Sequence, residues 1–308
     1  MQKLKLMLSY FTLCLLTLTC ASLAQAGTLP QRTFVSAARG NDNNSCTVAA
    51  PCRSFNTALN RVQAGGEVVA LDSGEYGVVV ITKAVTLEAQ DAVDAILTAR
   101  STQDAVTIQA GTTDTTVLRG LTISGQGGYN GITFNSGGAL HVESCVISGF
   151  SFTGIYFAVA AQLFVKDSIV RDNGGFGIYV IPPVFFATGI ATASIDHCWL
   201  EKNNYGLDAG TNSKVTIRDS IAAGNTATGY IAGNSPAELS IENCIATGNL
   251  FGIYSTGGST IRISNVMVTD NSTGLANDGY STIISFGNNR VRGNGTDKSG
   301  TITVVPQS

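Results

Sequence analysis

Apolar residues in this chain come in short alternating bursts, cut every few positions by Asn, Asp or Gly. The stretch SIENCIATGNLFGIY, Ser240 to Tyr254, shows neither the 3.6-residue stripe of a helix nor one long alternating strand. Near-copies begin at His141, Phe164, Ser194 and Thr216. A glycine followed by an apolar residue recurs at Gly131, Gly154, Gly177, Gly206, Gly229, Gly252 and Gly274, with spacings of 23, 23, 29, 23, 23 and 22. A period in the twenties predicts a solenoid, in which each unit buries its apolar face only by stacking on its neighbours. The segments after the glycine pair, such as STGGST and AGTNSK, are poor in helix formers, which argues against a leucine-rich repeat. The pattern instead predicts an all-β parallel β-helix with three short strands per coil and about 22–24 residues per coil. Period-two alternation places Leu239, Ile241, Cys244, Ala246 and Ile253 inside, and Glu242, Ile245 and Tyr254 outside.

Aligned coils turn single residues into columns. Asn173, Asn203, Asn225, Asn249, Asn271 and Asn294 share one turn, where Asn tolerates a left-handed backbone and its amide can bond from coil to coil, so they are expected to form a structural ladder. Cys145, Ser168, Cys198, Ser220, Cys244 and Val266 fill one inward column. Coils stack at ~4.8 Å, so thiols two coils apart lie beyond disulfide reach and read as small buried hydrophobes. Ser144, Asp167, His197, Asp219, Asn243, Asn265 and Asn288 occupy a second turn column.

The first 26 residues put Lys3 and Lys5 ahead of an apolar run ending in Ala24-Gln25-Ala26, the pattern of a cleavable signal peptide. The mature chain is then residues 27–308, secreted or periplasmic: a single domain with an N-terminal cap and first coils over 27–105, regular coils over 106–296 and a tail over 297–308. Charged residues make up only 13%, about half the usual share, and loss of the two leader lysines takes the net charge from −3 to about −5. An acidic, charge-poor chain is not built for nucleic acid or an anionic membrane, and the mature chain has no run long and apolar enough to span a bilayer. Five cysteines remain after the leader. Cys46 and Cys52 bracket the short loop CTVAAPC and are expected to pair in an oxidising compartment. No cofactor motif and no metal-ligand set stands out.

Ahead of the repeats runs RTFVSAARGNDNNSCTVAAPCRSFNTALNRVQAGGEVVALDSGEYG, followed by ITKAVTLEA. Its FVSA-x-G-x-D strand and loop, PCRSF-x-x-AL helix, GG-x-V strand and G-x-Y turn resemble the opening of right-handed parallel β-helix proteins of the pectin-lyase-like superfamily. With the repeats, the resemblance covers nearly all of the mature chain. It implies a three-sheet right-handed solenoid closed by a short N-terminal capping helix, consistent with Ala58, Leu59 and Val62 on one helical face. The superfamily holds pectate lyases, polygalacturonases, epimerases and phage tailspikes, so the fold alone does not select an activity. IDHC at Ile195–Cys198 is similar to a short stretch of pectate lyases, but their Arg-x-Pro-x-x-Arg segment and the clustered Asp set of polygalacturonases are absent. No catalytic residue is therefore assigned.

Three outer surfaces carry candidate chemistry. The first strand's row reads Glu143, Lys166, Asp196, Arg218, Glu242, alternating in sign. It is either an ion-pair ladder or a groove whose Lys166 and Arg218 meet the carboxylates of charged sugars, and the long-spaced loop holding Pro182, Pro183, Phe185 and Phe186 ends beside it. The third strand sets Tyr156, Tyr179 and Tyr254 outward, with Phe176, Tyr205 and Phe251 just before their glycines, either as sugar-stacking faces or as ordinary strand formers. The second strand's row, Val146, Ile169, Trp199, Ile221, Ile245 and Met267, is an apolar stripe for a second copy, a partner or the chain's own C-terminal TITVVP. The expected function is binding of an extracellular polysaccharide or surface partner. The alternatives are a polysaccharide lyase, hydrolase or epimerase working on the charged row, and a structural or adhesive solenoid.

Overall fold

The structure, a computed structural model, describes residues 29–90, 93–182 and 189–306. Three all-parallel sheets of 12, 10 and 10 strands wind around a common core. Each coil contributes one strand to each sheet, as in Glu238–Glu242, Ile245–Thr247 and Phe251–Thr256. Leu239 pairs with Val215 on one side and Ile261 on the other, so like sits above like along the axis. The inward set Leu239, Ile241, Cys244, Ala246 and Ile253 is fully buried. Phe134 and Phe157 stack within the core at 4.7 Å, and Tyr230 is buried with its hydroxyl 3.2 Å from the carbonyl oxygens of Ser220 and Ile245. The solenoid is a right-handed parallel β-helix.

Two corners of each coil are tight. Between the first and second sheets the turn is one residue in the left-handed region, at φ of 49–52° for Ser144, Asp167, His197, Asp219, Asn243 and Asn265. Asn and Asp adopt that conformation at low cost, which accounts for the polar column. The second corner carries the asparagines. The Nδ2 of each donates to the Oδ1 of the next, from Asn173 to Asn203 at 2.9 Å through to Asn271 and Asn294 at 2.9 Å. Asn173 through Asn271 are buried and Asn294 is half-exposed. The glycine that follows is forced by close approach rather than by φ. A Cβ on Gly177 would sit 2.5 Å from the Gly206 oxygen and 2.9 Å from Asn203 Nδ2. The third corner, from the third sheet back to the first, varies in length from coil to coil, with Phe157 leading to Gln162, Val180 to Ala191 and Ala209 to Ser213.

The N-terminal end is closed by the one helix of the described residues, Phe55–Arg61, with Ser54 accepting from the Thr57 amide as N-cap and Phe55, Ala58 and Leu59 buried. The Asp42 carboxylate accepts from the amides of Arg53 and Ser54, and the Cys46–Cys52 disulfide pins the loop before it. At the other end, Ile302–Val304 adds to the first sheet beside Thr282–Ser285. TITVVP therefore does not cover the apolar stripe of the second sheet, because its alternating residues extend an existing sheet edge and satisfy their backbone there.

Candidate functional site

The first sheet's charged row is in register from Arg119 through Glu143, Lys166, Asp196 and Arg218 to Glu242. Its pairing is shifted from simple alternation. Glu143 accepts from Arg119 Nε at 2.9 Å, one coil earlier, while Lys166 turns to Asp167 at 3.7 Å. Asp196 accepts a hydrogen bond from Arg218 at 3.0 Å, and His197 Nδ1 lies 2.9 Å from its other oxygen without forming one. The Arg218 hydrogen bond, opposed by some desolvation, holds the Asp196 carboxyl below its ordinary range. Asp196, His197 and Asp219 offer three metal-type ligand atoms within 4.8 Å of one another, with His197 and Asp219 exposed, a set that arises only when two coils and a corner are superposed. Glu242 has no ion pair among the described residues. It lines an open depression of about 770 Å³ with Ser240, Ser264, Arg262 and Phe286, and Val305 and Pro306 form one wall. Arg262 is itself held by Glu238 at 2.8 Å. Of the long loop, Pro183, Phe185 and Phe186 lie outside the described residues.

The second sheet's stripe is continuous, Val146 through Ile169, Trp199, Ile221 and Ile245 to Met267. Trp199 is 50% exposed and the others are half-buried.

The third sheet's outer face gathers more than the row of tyrosines. Tyr156 pairs with Tyr179, but the next positions in that row are Asp208 and Ile231, so Tyr254 stands apart, stacked on Phe251 at 5.1 Å. The other rings make a run across four coils. Tyr129 stacks on Phe152 at 5.1 Å, and Phe152 meets Phe176 edge-on at 5.8 Å. Phe176 stacks on Tyr205 at 4.9 Å and on Tyr179 at 4.2 Å, and Tyr179 lies 5.9 Å from Tyr156. Tyr129 is 45% exposed and the other five are half-buried, so the run faces outward rather than packing a core. Tyr129 and Phe152 stand two residues before their glycines rather than one, which hides them from a pattern keyed to the repeat. Asp208 was hidden differently, occupying in YGLD the place that GIY gives to tyrosine. It is 9% exposed, and its Oδ1 has no hydrogen-bond partner among the described residues. Burial pushes its carboxyl up to about 7, and burial likewise pushes the adjacent Tyr179 hydroxyl up to about 12.

Three solved structures are similar to the chain. A pectate lyase, Pel9A, shares 16% identity over 91% of this chain and 78% of its own, with a TM-score of 0.54. An alginate lyase from Paenibacillus sp. str. FPU-7 shares 13% over 88% and 99%, with a TM-score of 0.61. A pectin methylesterase from carrot shares 11% over 93% and 91%, with a TM-score of 0.51. At such identities the likeness shows the fold alone. No curated protein sequence matches the chain. No helix of the described residues is long and apolar enough to cross a membrane. The family described as the right handed beta helix region matches residues 67–182 and 183–305. With its three parallel sheets, the chain belongs to that family and has the pectin-lyase-like fold.

Proposed function

We propose that this is an exported polysaccharide-binding protein, made with a leader at 1–26 and working as a single domain over 27–308, secreted or periplasmic. The observation that carries the reading is the outward run Tyr129–Phe152–Phe176–Tyr205 with Tyr179 and Tyr156. Rings stacked on one another cover much of each other's faces, but their outward edges and the end ring Tyr129, 45% exposed, offer rigid apolar area against sugar rings at little entropic cost. The first-sheet charges, by contrast, largely neutralise one another through Arg119–Glu143 and Asp196–Arg218. The enzymes named for pectate, alginate and pectin on the same fold support a saccharide ligand. A glycan array with residues 27–308 tests the reading. Retention of at least one polysaccharide, lost in both Tyr129→Ala and Tyr205→Ala, supports it, and retention indifferent to both changes sinks it.

A second reading, lyase or hydrolase chemistry on the first sheet, is favoured by one observation, the meeting of Asp196, His197, Asp219 and Arg218 across two coils. Release of shorter oligosaccharides from a bound polymer, abolished by Asp196→Asn, is its test. Lys166, Glu143 and Glu242 would then line the groove, while the Val146–Met267 stripe remains the surface for a partner or second copy.

A further inference from the structure

The apolar stripe is the middle of a longer row on the ten-stranded second sheet, which begins at Glu75, passes Ile96 and Thr122, and ends beyond Met267 at Arg290. Trp199 stands sixth of the ten and is 50% exposed, and the C-terminal segment Ile302–Val304 is paired into the first sheet rather than laid over it. A contiguous apolar row on an outer face calls for a partner. Charges flank its centre. Arg171 and Glu201 lie beside Ile169 and Trp199 on the two middle coils. At the corners of the same two coils stand Asp167 and His197 on one edge and Asp172 and Lys202 on the other, all exposed. In the first sheet, Arg119 and Asp196 each close an ion pair with an adjacent coil. Here the opposite charges do not close: Arg171 Nε lies 3.8 Å from Asp172, and neither Glu201 nor Lys202 has an ion pair among the described residues.

We propose that this face binds a second copy of the chain, the two solenoids lying antiparallel about a two-fold axis that runs parallel to the strands, midway between the Ile169 and Trp199 coils. That operation lays each row over itself and reverses the order of the coils, as an isologous contact requires. Ile169 then meets the partner's Trp199, and Val146 meets the partner's Ile221. Arg171 meets the partner's Glu201, Asp172 the partner's Lys202 and Asp167 the partner's His197, so the groups left open within one chain find their complements in the other. Because the axis bisects a row of ten, the ends match as well, with Glu75 against the partner's Arg290. Thr122 against the partner's Ile245 is the one mismatch in the row. A two-fold along the solenoid axis would instead lay the apolar row over the polar one and set Trp199 against the partner's Glu201. The face measures about 43 Å by about 16 Å, roughly 700 Å² per copy, close to the ~800 Å² of a standard interface. It uses neither the aromatic run nor the first-sheet row, so it stands apart from the saccharide reading.

The chain has one tryptophan, so its fluorescence reports on this face alone. Residues 27–308 are diluted from about 100 μM to about 0.1 μM and followed by sedimentation velocity. Dimer is expected to give way to monomer, with Trp199 emission shifting to the red and acrylamide quenching rising over the same range. Arg171→Glu and Glu201→Arg, both surface changes whose folding is checked by thermal melts, should each weaken self-association at least about tenfold, because each sets like charges opposite one another twice in the dimer. An equal mixture of the two variants should recover the dimer, since the mixed pair regains both opposite-charge contacts. Monomer at every concentration with unshifted tryptophan emission overturns the proposal and leaves the stripe to a different partner. A dimer indifferent to both variants, or losses that mixing does not restore, overturns the antiparallel pairing.

Discussion

The Nδ2 of Asn225 and the backbone N–H of Asn225 both donate to one atom, the Oδ1 of Asn249, at 2.9 Å each. The same double donation links each neighbouring pair in the ladder, so one side chain supports two donors of the preceding coil while its own amide donates onward. Asn249→Ala should cost about 3 kcal/mol, because it strands both Asn225 donors and takes a donor from the Ala222 carbonyl in a buried corner, while the Asn271 oxygen keeps the backbone N–H of residue 249. Asn294→Ala, at the half-exposed end where water can substitute, should cost about 1 kcal/mol. Urea unfolding of the two variants checks the order, and equal losses would contradict it.

Gly177→Ala should destabilise by about 2–3 kcal/mol, since the new methyl meets the backbone oxygen of the next coil and the ladder amide at 2.5 and 2.9 Å. Gly233→Ala, whose methyl makes only an ordinary contact, should leave the melting temperature nearly unchanged. Thermal melts of the two proteins side by side decide the matter, and a tolerant Gly177 would deny the close approach.

Cys145, Cys198 and Cys244 are buried and free, and burial pushes their thiols up to about 12, 11 and 11. With few thiolates and no access, all three should resist alkylation in the native protein and react on unfolding, while Cys46 and Cys52 should react only after reduction. Peptide mass mapping before and after denaturant reads this directly. Fast native labelling at Cys198 would mean that the coil around it opens.

The Asp208 carboxyl sits at about 7 in the folded chain against an unfolded value near 4. Between those values the folded state holds a proton that the unfolded state has lost, so stability falls as pH rises through that window and levels off above it, by a few kcal/mol in all. Asp208→Asn should flatten that decline and be the more stable protein at pH 8. The opposite slope, stability lost as pH falls further, should persist in both, because Asp42, Asp72 and Asp196 have carboxyls held below the usual range. Identical pH profiles for parent and variant between about pH 4 and 8 would refute the buried-acid assignment.

The coil was legible in the sequence because a solenoid writes the same physical solution repeatedly. Inward apolar positions, the left-handed corner residue and the laddered Asn each recur at one period, and repetition separates them from noise. The outer surface repeats only in part. The pairing of Glu143 with Arg119 rather than Lys166 depends on side-chain reach between stacked rows, and Arg119 lies one coil before the row as read from the sequence. Asp208 looks in sequence like any exposed strand acid. Its isolation follows from the register that seats it between Tyr179 and Ile231, which the 29-residue spacing just before it obscures.

The unequal corners of the coil also make this protein a pegboard. Two edges are locked by single left-handed residues and by laddered amides, where one inserted residue would throw the side chains of the adjoining strand onto the wrong face. The third edge already accepts stretches from the few residues between Phe157 and Gln162 to the longer one between Val180 and Ala191 without disturbing the strands on either side. Foreign segments grafted there would project in a single file at intervals of ~4.8 Å. The molecule is thus suited to display, with room for new loops along one line and almost none elsewhere.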